Sequence, residues 1–210
     1  MRDPYLYENS EVLRNKLGLK TQKELDDAEA DYVVCKLRQL VTDPIPGDYY
    51  HTHLLAMHRF LFEDLFDWAG EFRRINIFKS ERVLAGLSID YSDAFDVARD
   101  TENCLVDMQK KQWVKMSCQE AAEEMSESLA RLWKIHPFRE GNTRTVITFC
   151  CQYSDKVGLN LDRMLFEKNS KYVRDALVAY NAVFHDAGDL SQKEHLIRIV
   201  KDGIRGKEQK

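Results

Sequence analysis

Nine consecutive residues, His136-Pro137-Phe138-Arg139-Glu140-Gly141-Asn142-Thr143-Arg144, carry side chains that could do chemistry together. A histidine at a helix end can serve as general base, its ordinary pKa being about 6.5. Glu140 is a hard oxygen ligand of the kind that holds Mg²⁺ bridging phosphates. Gly141 lets backbone approach a phosphate closely, Asn142 can donate from its side chain, and Arg144 adds a forked cation. Base, metal ligand, anion cradle and arginine at this spacing describe phosphoryl or nucleotidyl transfer. A loop with only a structural task has no need of these residue types at these offsets.

Two helices must position the stretch. Residues 117–135 place Met125, Leu129, Leu132 and Trp133 at the spacing of one helix face, and Ser117 with Glu120 forms a capping box at its start. Pro137 disfavours helical backbone at His136, so that helix stops there. Residues 145–158 carry Val146, Ile147, Phe149, Cys150, Cys151, Tyr153 and Val157, the composition of a helix buried at the centre of a domain. Gly141-Asn142 makes the turn, with Asn142 as expected N-cap, and free N–H groups at a helix N-terminus bind anions.

The stretch resembles the signature of the Fic family (filamentation induced by cAMP), His-x-Phe-x-Asp/Glu-Gly-Asn-Gly-Arg-x-x-Arg. It matches at His136, Phe138, Glu140, Gly141, Asn142 and Arg144, and departs at Thr143 (glycine in the pattern) and Ile147 (a second arginine). The segment Leu61-Phe62-Glu63-Asp64-Leu65-Phe66-Asp67-Trp68-Ala69-Gly70-Glu71-Phe72-Arg73 is similar to the part of the family that precedes its flap hairpin, and Gly188-Asp189-Leu190 adds a C-terminal likeness. The resemblance implies an all-α Fic-like domain with a small β-hairpin flap at about residues 70–90. It implies transfer of AMP from ATP to a Ser, Thr or Tyr hydroxyl of a target protein. In that reading His136 takes the hydroxyl proton, Glu140 holds Mg²⁺, Gly141, Asn142 and Thr143 bind phosphates, and Arg144 stabilises developing charge. Ile75, Ile77, Phe78 and Lys79 belong to the flap, which would clamp the target as an added strand. Transfer of another nucleotidyl or phosphoryl group, and a degenerate nucleotide- or partner-binding module, compete with this reading. Intact His136 favours an enzyme; Thr143 and Ile147 favour the module. The Ser/Thr-x-x-x-Glu-Gly/Asn pattern that restrains many Fic proteins is absent here, which leaves room for a separate antitoxin protein.

Composition sets the frame. The chain of 210 residues suits one domain, expected as an N-terminal arm and helices over residues 1–47 and a core over 48–200. A net charge of −4 argues against nonspecific nucleic-acid binding, and no apolar run approaches a membrane span of about 20 residues. The five cysteines form no CxxC pair and read as reduced core thiols, in keeping with a cytoplasmic protein, later export to a host cell being left open. Oligomeric state is left open as well. Elsewhere the pattern predicts an arm over residues 5–9 and a short helix over 10–17. Further helices are predicted over 21–40 (Leu25, Ala28, Tyr32, Cys35 and Leu40 near one face), 48–66, 91–113, 167–183 and from 189 or 191 to 200. His51, His53 and His58 read as surface or core histidines.

Overall fold

The computed structural model describes residues 3–184, 186 and 188–206. Among them the architecture is helical: α1 (Gln22–Thr42), α2 (His51–Phe62), α3 (Val97–Lys110), α4 (Cys118–Ile135), α5 (Asn142–Lys156), α6 (Arg163–Lys168), α7 (Ser170–Tyr180) and α8 (Glu194–Gly203). A small antiparallel sheet pairs β1 (Val183–Phe184) with β2 (Gly188–Asp189), Val183 opposite Asp189. No helix among the described residues is long and apolar enough to cross a membrane.

α4 is the central beam. Its capping box forms as the sequence predicts: Glu120 N–H donates to Ser117 Oγ, and Ser117 N–H to the Glu120 carboxylate at 2.8 Å. Met125, Leu129, Leu132 and Trp133 are all buried. α4 packs against α3, α5 and α8, while α2 lies between α1 and α5. In α5, Val146, Phe149, Cys150, Cys151 and Tyr153 are buried, and Ile147 and Val157 pack half-buried on the core.

Several expectations are corrected. Residues 10–17 form no helix. Tyr7 N–H donates to Val12 O and Arg14 N–H to Tyr5 O, folding the arm back on itself. The Asn15 side chain donates to the carbonyls of Leu13 and Leu19, so local side-chain bonds outcompete the helix. In α1 the buried stripe is Leu25, Val33 and Leu40, with Glu29 and Lys36 partly buried along it, whereas Tyr32 and Cys35 are exposed. The predicted helix over 167–183 is two helices parted at Asn169, whose side chain donates to Leu165 O at 2.8 Å. The last helix begins at Glu194, because Asp189 accepts from Ser191 N–H in a turn instead of capping it.

The predicted hairpin over residues 70–90 carries no β-ladder. Extended segments flank a short 3₁₀ turn at Arg82–Leu84, and the loop is closed by Glu81 N–H to Leu87 O, Gly86 N–H to Glu81 O and Lys79 N–H to Ser88 Oγ. The carbonyls of Ile75, within the segment, and of Ser92, just beyond it, accept from the Arg73 guanidinium instead of from a neighbouring strand. An isolated two-stranded hairpin is marginal in water, and this segment is held by side chains instead.

Candidate active site

α4 ends where the chemistry begins. Its C-cap, His136, lies at φ 53° and ψ 61°, a left-handed conformation that costs a non-glycine residue about 1–2 kcal/mol. Arg73 fixes this end. Its Nε donates to His136 O at 2.8 Å, Nη1 to Ile75 O at 2.6 Å, and Nη2 to Ile135 O at 3.3 Å and to Ser92 O. Its backbone N–H donates to Pro137 O at 2.9 Å. A buried guanidinium thus sits on the electronegative end of α4, where the terminal carbonyls lack helical partners.

The His136 ring is 2% exposed and wedged between Tyr91 and Trp133, with ring centroids at 4.3 and 5.5 Å. Nδ1 lies 3.3 Å from Trp133 O. A carbonyl only accepts, so the proton is assigned to Nδ1 and Nε2 keeps its lone pair. Nε2 is buried without a hydrogen-bond partner among the described residues, and His136 lines a cleft of about 210 Å³. Burial first, then the charge of Lys79 and of Arg73 and Arg174, holds the ring pKa well below 6.5. The imidazole is therefore a neutral base near pH ~7.

α5 supplies the opposite lip. Gly141 lies at φ 79°, and a Cβ there would come within 2.3 Å of Phe62 Cζ, so both the turn and the packing require glycine. The first intrahelical bond runs from Thr145 N–H to Gly141 O, which leaves the N–H groups of Asn142, Thr143 and Arg144 outside the ladder. Such groups, with the helix dipole, attract anions. Thr143 lines the cleft, and its Oγ1 accepts from Trp133 Nε1 at 2.9 Å, which leaves its own hydroxyl proton available.

Asn142 departs from expectation. It is the first residue of α5 rather than the cap, and its side chain is buried. Oδ1 accepts from Phe138 N–H at 2.8 Å and Nδ2 donates to Phe138 O at 2.7 Å. Its amide therefore closes the loop through Oδ1 and one of the two Nδ2 protons, which leaves the second Nδ2–H and the backbone N–H as donors. Ile147 packs on the core and does not line the cleft.

The charges in the cleft come in pairs. Glu140 Oε1 accepts from Gly141 N–H at 3.0 Å, and Oε2 faces Lys79 Nζ at 3.4 Å. Burial pushes the Glu140 carboxyl up, but Lys79, the Gly141 N–H and Arg144 together bring it below its usual value. Arg144 is paired with Glu29 of α1, whose carboxyl is raised by burial despite that pairing. Arg174 of α7 holds Glu81. Among the described residues no three His, Cys, Asp or Glu converge as metal ligands. Glu140 alone still suits Mg²⁺, which commonly takes one or two carboxylates and completes its shell with substrate phosphates and water.

Residues 48–154 match the model of the Fic/DOC family. The chain belongs to that family. It is 31% identical over 180 residues to the probable protein adenylyltransferase y4lH of Sinorhizobium fredii, covering 85% of this chain and 88% of that protein. It is 26% identical over 171 residues to the probable protein adenylyltransferase Fic of Escherichia coli, covering 80% of each. Its fold superposes on BepC of Bartonella tribocorum, solved with bound AMPPNP, at a TM-score of 0.77 and 20% identity over 97% of both chains.

Of the residues that the Fic signature pointed to, His136, Glu140, Gly141, Asn142, Thr143 and Arg144 all line the one cleft, and Lys79 reaches it from the loop over residues 70–90. Ile77 and Phe78 line a neighbouring cleft of about 500 Å³ with Tyr91 and Asp93, Phe78 being 77% exposed. Ile75 packs against the core instead. Sequence reasoning missed four residues that build this Fic site. Arg73 fixes the end of α4. His58 holds the loop from beneath: Nδ1 accepts from Gly70 N–H at 2.8 Å, Nε2 donates to Glu140 O at 3.1 Å, and the ring stacks on Phe138 at 3.7 Å. Glu29 had a signal, an acid four residues from each of the buried Leu25 and Val33. Arg174 had none.

Proposed function

We propose that this chain is a protein adenylyltransferase, moving AMP from ATP to a hydroxyl of a target protein. One observation carries the reading: a neutral histidine whose unprotonated Nε2 is buried, without a partner among the described residues, and lines one cleft with the first turn of α5. A target hydroxyl there gives its proton to Nε2 as its oxygen attacks the α-phosphorus. The new O–P bond forms as the bond from phosphorus to the bridging oxygen breaks, and pyrophosphate leaves. The N–H groups of Asn142, Thr143 and Arg144, with the Thr143 hydroxyl and the Arg144 guanidinium, orient the phosphates and stabilise charge that develops in transfer. Glu140 would hold Mg²⁺, which neutralises phosphate charge when bound. The adjoining cleft with Ile77 and Phe78 is where an extended target segment would lie. The names of the Sinorhizobium and Escherichia relatives support the reading, as does the nucleotide analogue in BepC.

A second reading, nucleotide binding with little turnover, is favoured by the carboxylate partner that each of Lys79, Arg144 and Arg174 already has. Incubation with α-labelled ATP, Mg²⁺ and cell lysate separates the two. The parent should label one or more proteins. His136→Ala should lower labelling at least ~100-fold, the lower end of what general base catalysis supplies. Parent-like labelling by that variant sinks the proposal, and a parent that binds ATP without labelling anything favours the second reading.

A further inference from the structure

The cleft is lined by a cation from α7, which lies outside the nine-residue stretch. Arg174 on α7 lines the cleft together with Lys79, His136 and the residues of α5's first turn. Its guanidinium is clamped end-on: Nη1 donates to Glu81 Oε2 at 2.8 Å and Nη2 to Glu81 Oε1 at 3.0 Å. Glu81 is itself 1% exposed and also accepts from the Tyr91 hydroxyl at 3.4 Å, so its carboxylate is committed. The Arg174 side chain, by contrast, is 41% exposed. A guanidinium has five N–H donors, and Glu81 uses two of them. The others remain on a group whose orientation is already fixed, which reduces the ordering cost of a further planar, forked contact.

At about 210 Å³ the cleft is smaller than the ~300–1,000 Å³ of sites that enclose whole small ligands, so it suits a phosphate chain better than a base and sugar. We infer that Arg174 is a phosphate-binding residue, meeting the nucleotide's phosphate chain from α7 while the start of α5 supplies its N–H groups to the same chain. Glu81 is its support, buried so that Arg174 stays extended over the cleft. The inference rests on the nucleotide-binding reading of this cleft.

The test is titration calorimetry with two probes, AMPPNP and inorganic tripolyphosphate, which has no base or sugar. The proteins are the parent, Arg174→Ala, and the double variant Arg174→Gln with Glu81→Gln, which leaves no buried carboxylate alone and keeps an amide pair in place. Loss of a charge-assisted contact should weaken both probes by a similar factor, about tenfold to a hundredfold, in both variants. Thermal melting checks that each variant is folded, and if Arg174→Ala is not, the double variant decides. Affinity for either probe unchanged in a folded variant overturns the inference, and so does weakened AMPPNP binding beside parent-like tripolyphosphate binding. If the parent binds AMPPNP and the variants bind it equally well, the assignment of Arg174 falls alone. A parent that binds neither probe removes the nucleotide reading and this inference together.

Discussion

At the scale of single residues, the histidine is defined by its surroundings more than by its position. An exposed imidazole would be half protonated near pH ~6.5 and would lose base strength below it. His136 is buried beside three cations, and its folded pKa is depressed. The pH dependence of kcat/KM for AMP transfer should therefore show no acid limb near ~6.5; it should stay level through that region. An acid limb there that disappears in no other variant would mean that His136 titrates as if exposed. That His136 ends α4 beside a loop of unusual chemistry was legible in the sequence, because the residues around it are contiguous. The bonds that Asn142 makes to its own loop were not. Whether an amide faces a ligand or its own loop depends on where the Phe138 backbone turns, and that is fixed only once Phe138 packs beneath the loop against His58. Glu29 and Arg174 lie on α1 and α7, and only tertiary packing brings either one to α5 or to the loop over residues 70–90.

At the scale of elements, the helices were readable wherever periodicity and caps agreed, as in α4 with its capping box. The loop over residues 70–90 was not, since its alternating Ile75, Ile77 and neighbours look like a strand while its hydrogen bonds go to side chains. Arg73 joins the two elements, because one guanidinium satisfies the last carbonyls of α4 and the extended segment beside it. Arg73→Leu would keep the apolar stem and strand these acceptors in a buried place. Each stranded acceptor costs about 1–3 kcal/mol, so the variant should lose about 3 kcal/mol or more in urea unfolding. Labelling by a variant that still folds should also fall, since the end of α4 sets the position of His136. Arg73→Lys should recover only part of the stability, because one ammonium with three donors cannot serve four spread carbonyl acceptors. A parent-like midpoint for Arg73→Leu would show that α4 holds its end without the clamp.

At the scale of the whole molecule, the histidines that are buried among the described residues, His53, His58 and His136, shape how the fold responds to acid. Burial depresses the pKa of His53 and His136, and it takes His58 down to about 3. In the unfolded chain each would titrate near 6.5. Below that pH the unfolded chain takes up protons that the folded one refuses, so stability is present above about 6.5 and is lost progressively as pH falls toward the folded values. Glu29 works in the opposite sense, since its raised carboxyl pKa makes the folded state bind a proton more readily than the unfolded one. His58 should carry a share of the acid loss beside His53 and His136. Protonating it would set a second N–H against the Gly70 N–H that Nδ1 now accepts, under a loop whose Glu140 carbonyl takes the other nitrogen. Melting temperatures measured from about pH 7.5 to 5 should fall with acid in the parent. His58→Gln should melt lower at neutral pH, having lost the stack on Phe138, yet decline less steeply over the same range. The slope rather than the starting value carries the test: an equally steep decline in His58→Gln would place the acid sensitivity of this fold in another group.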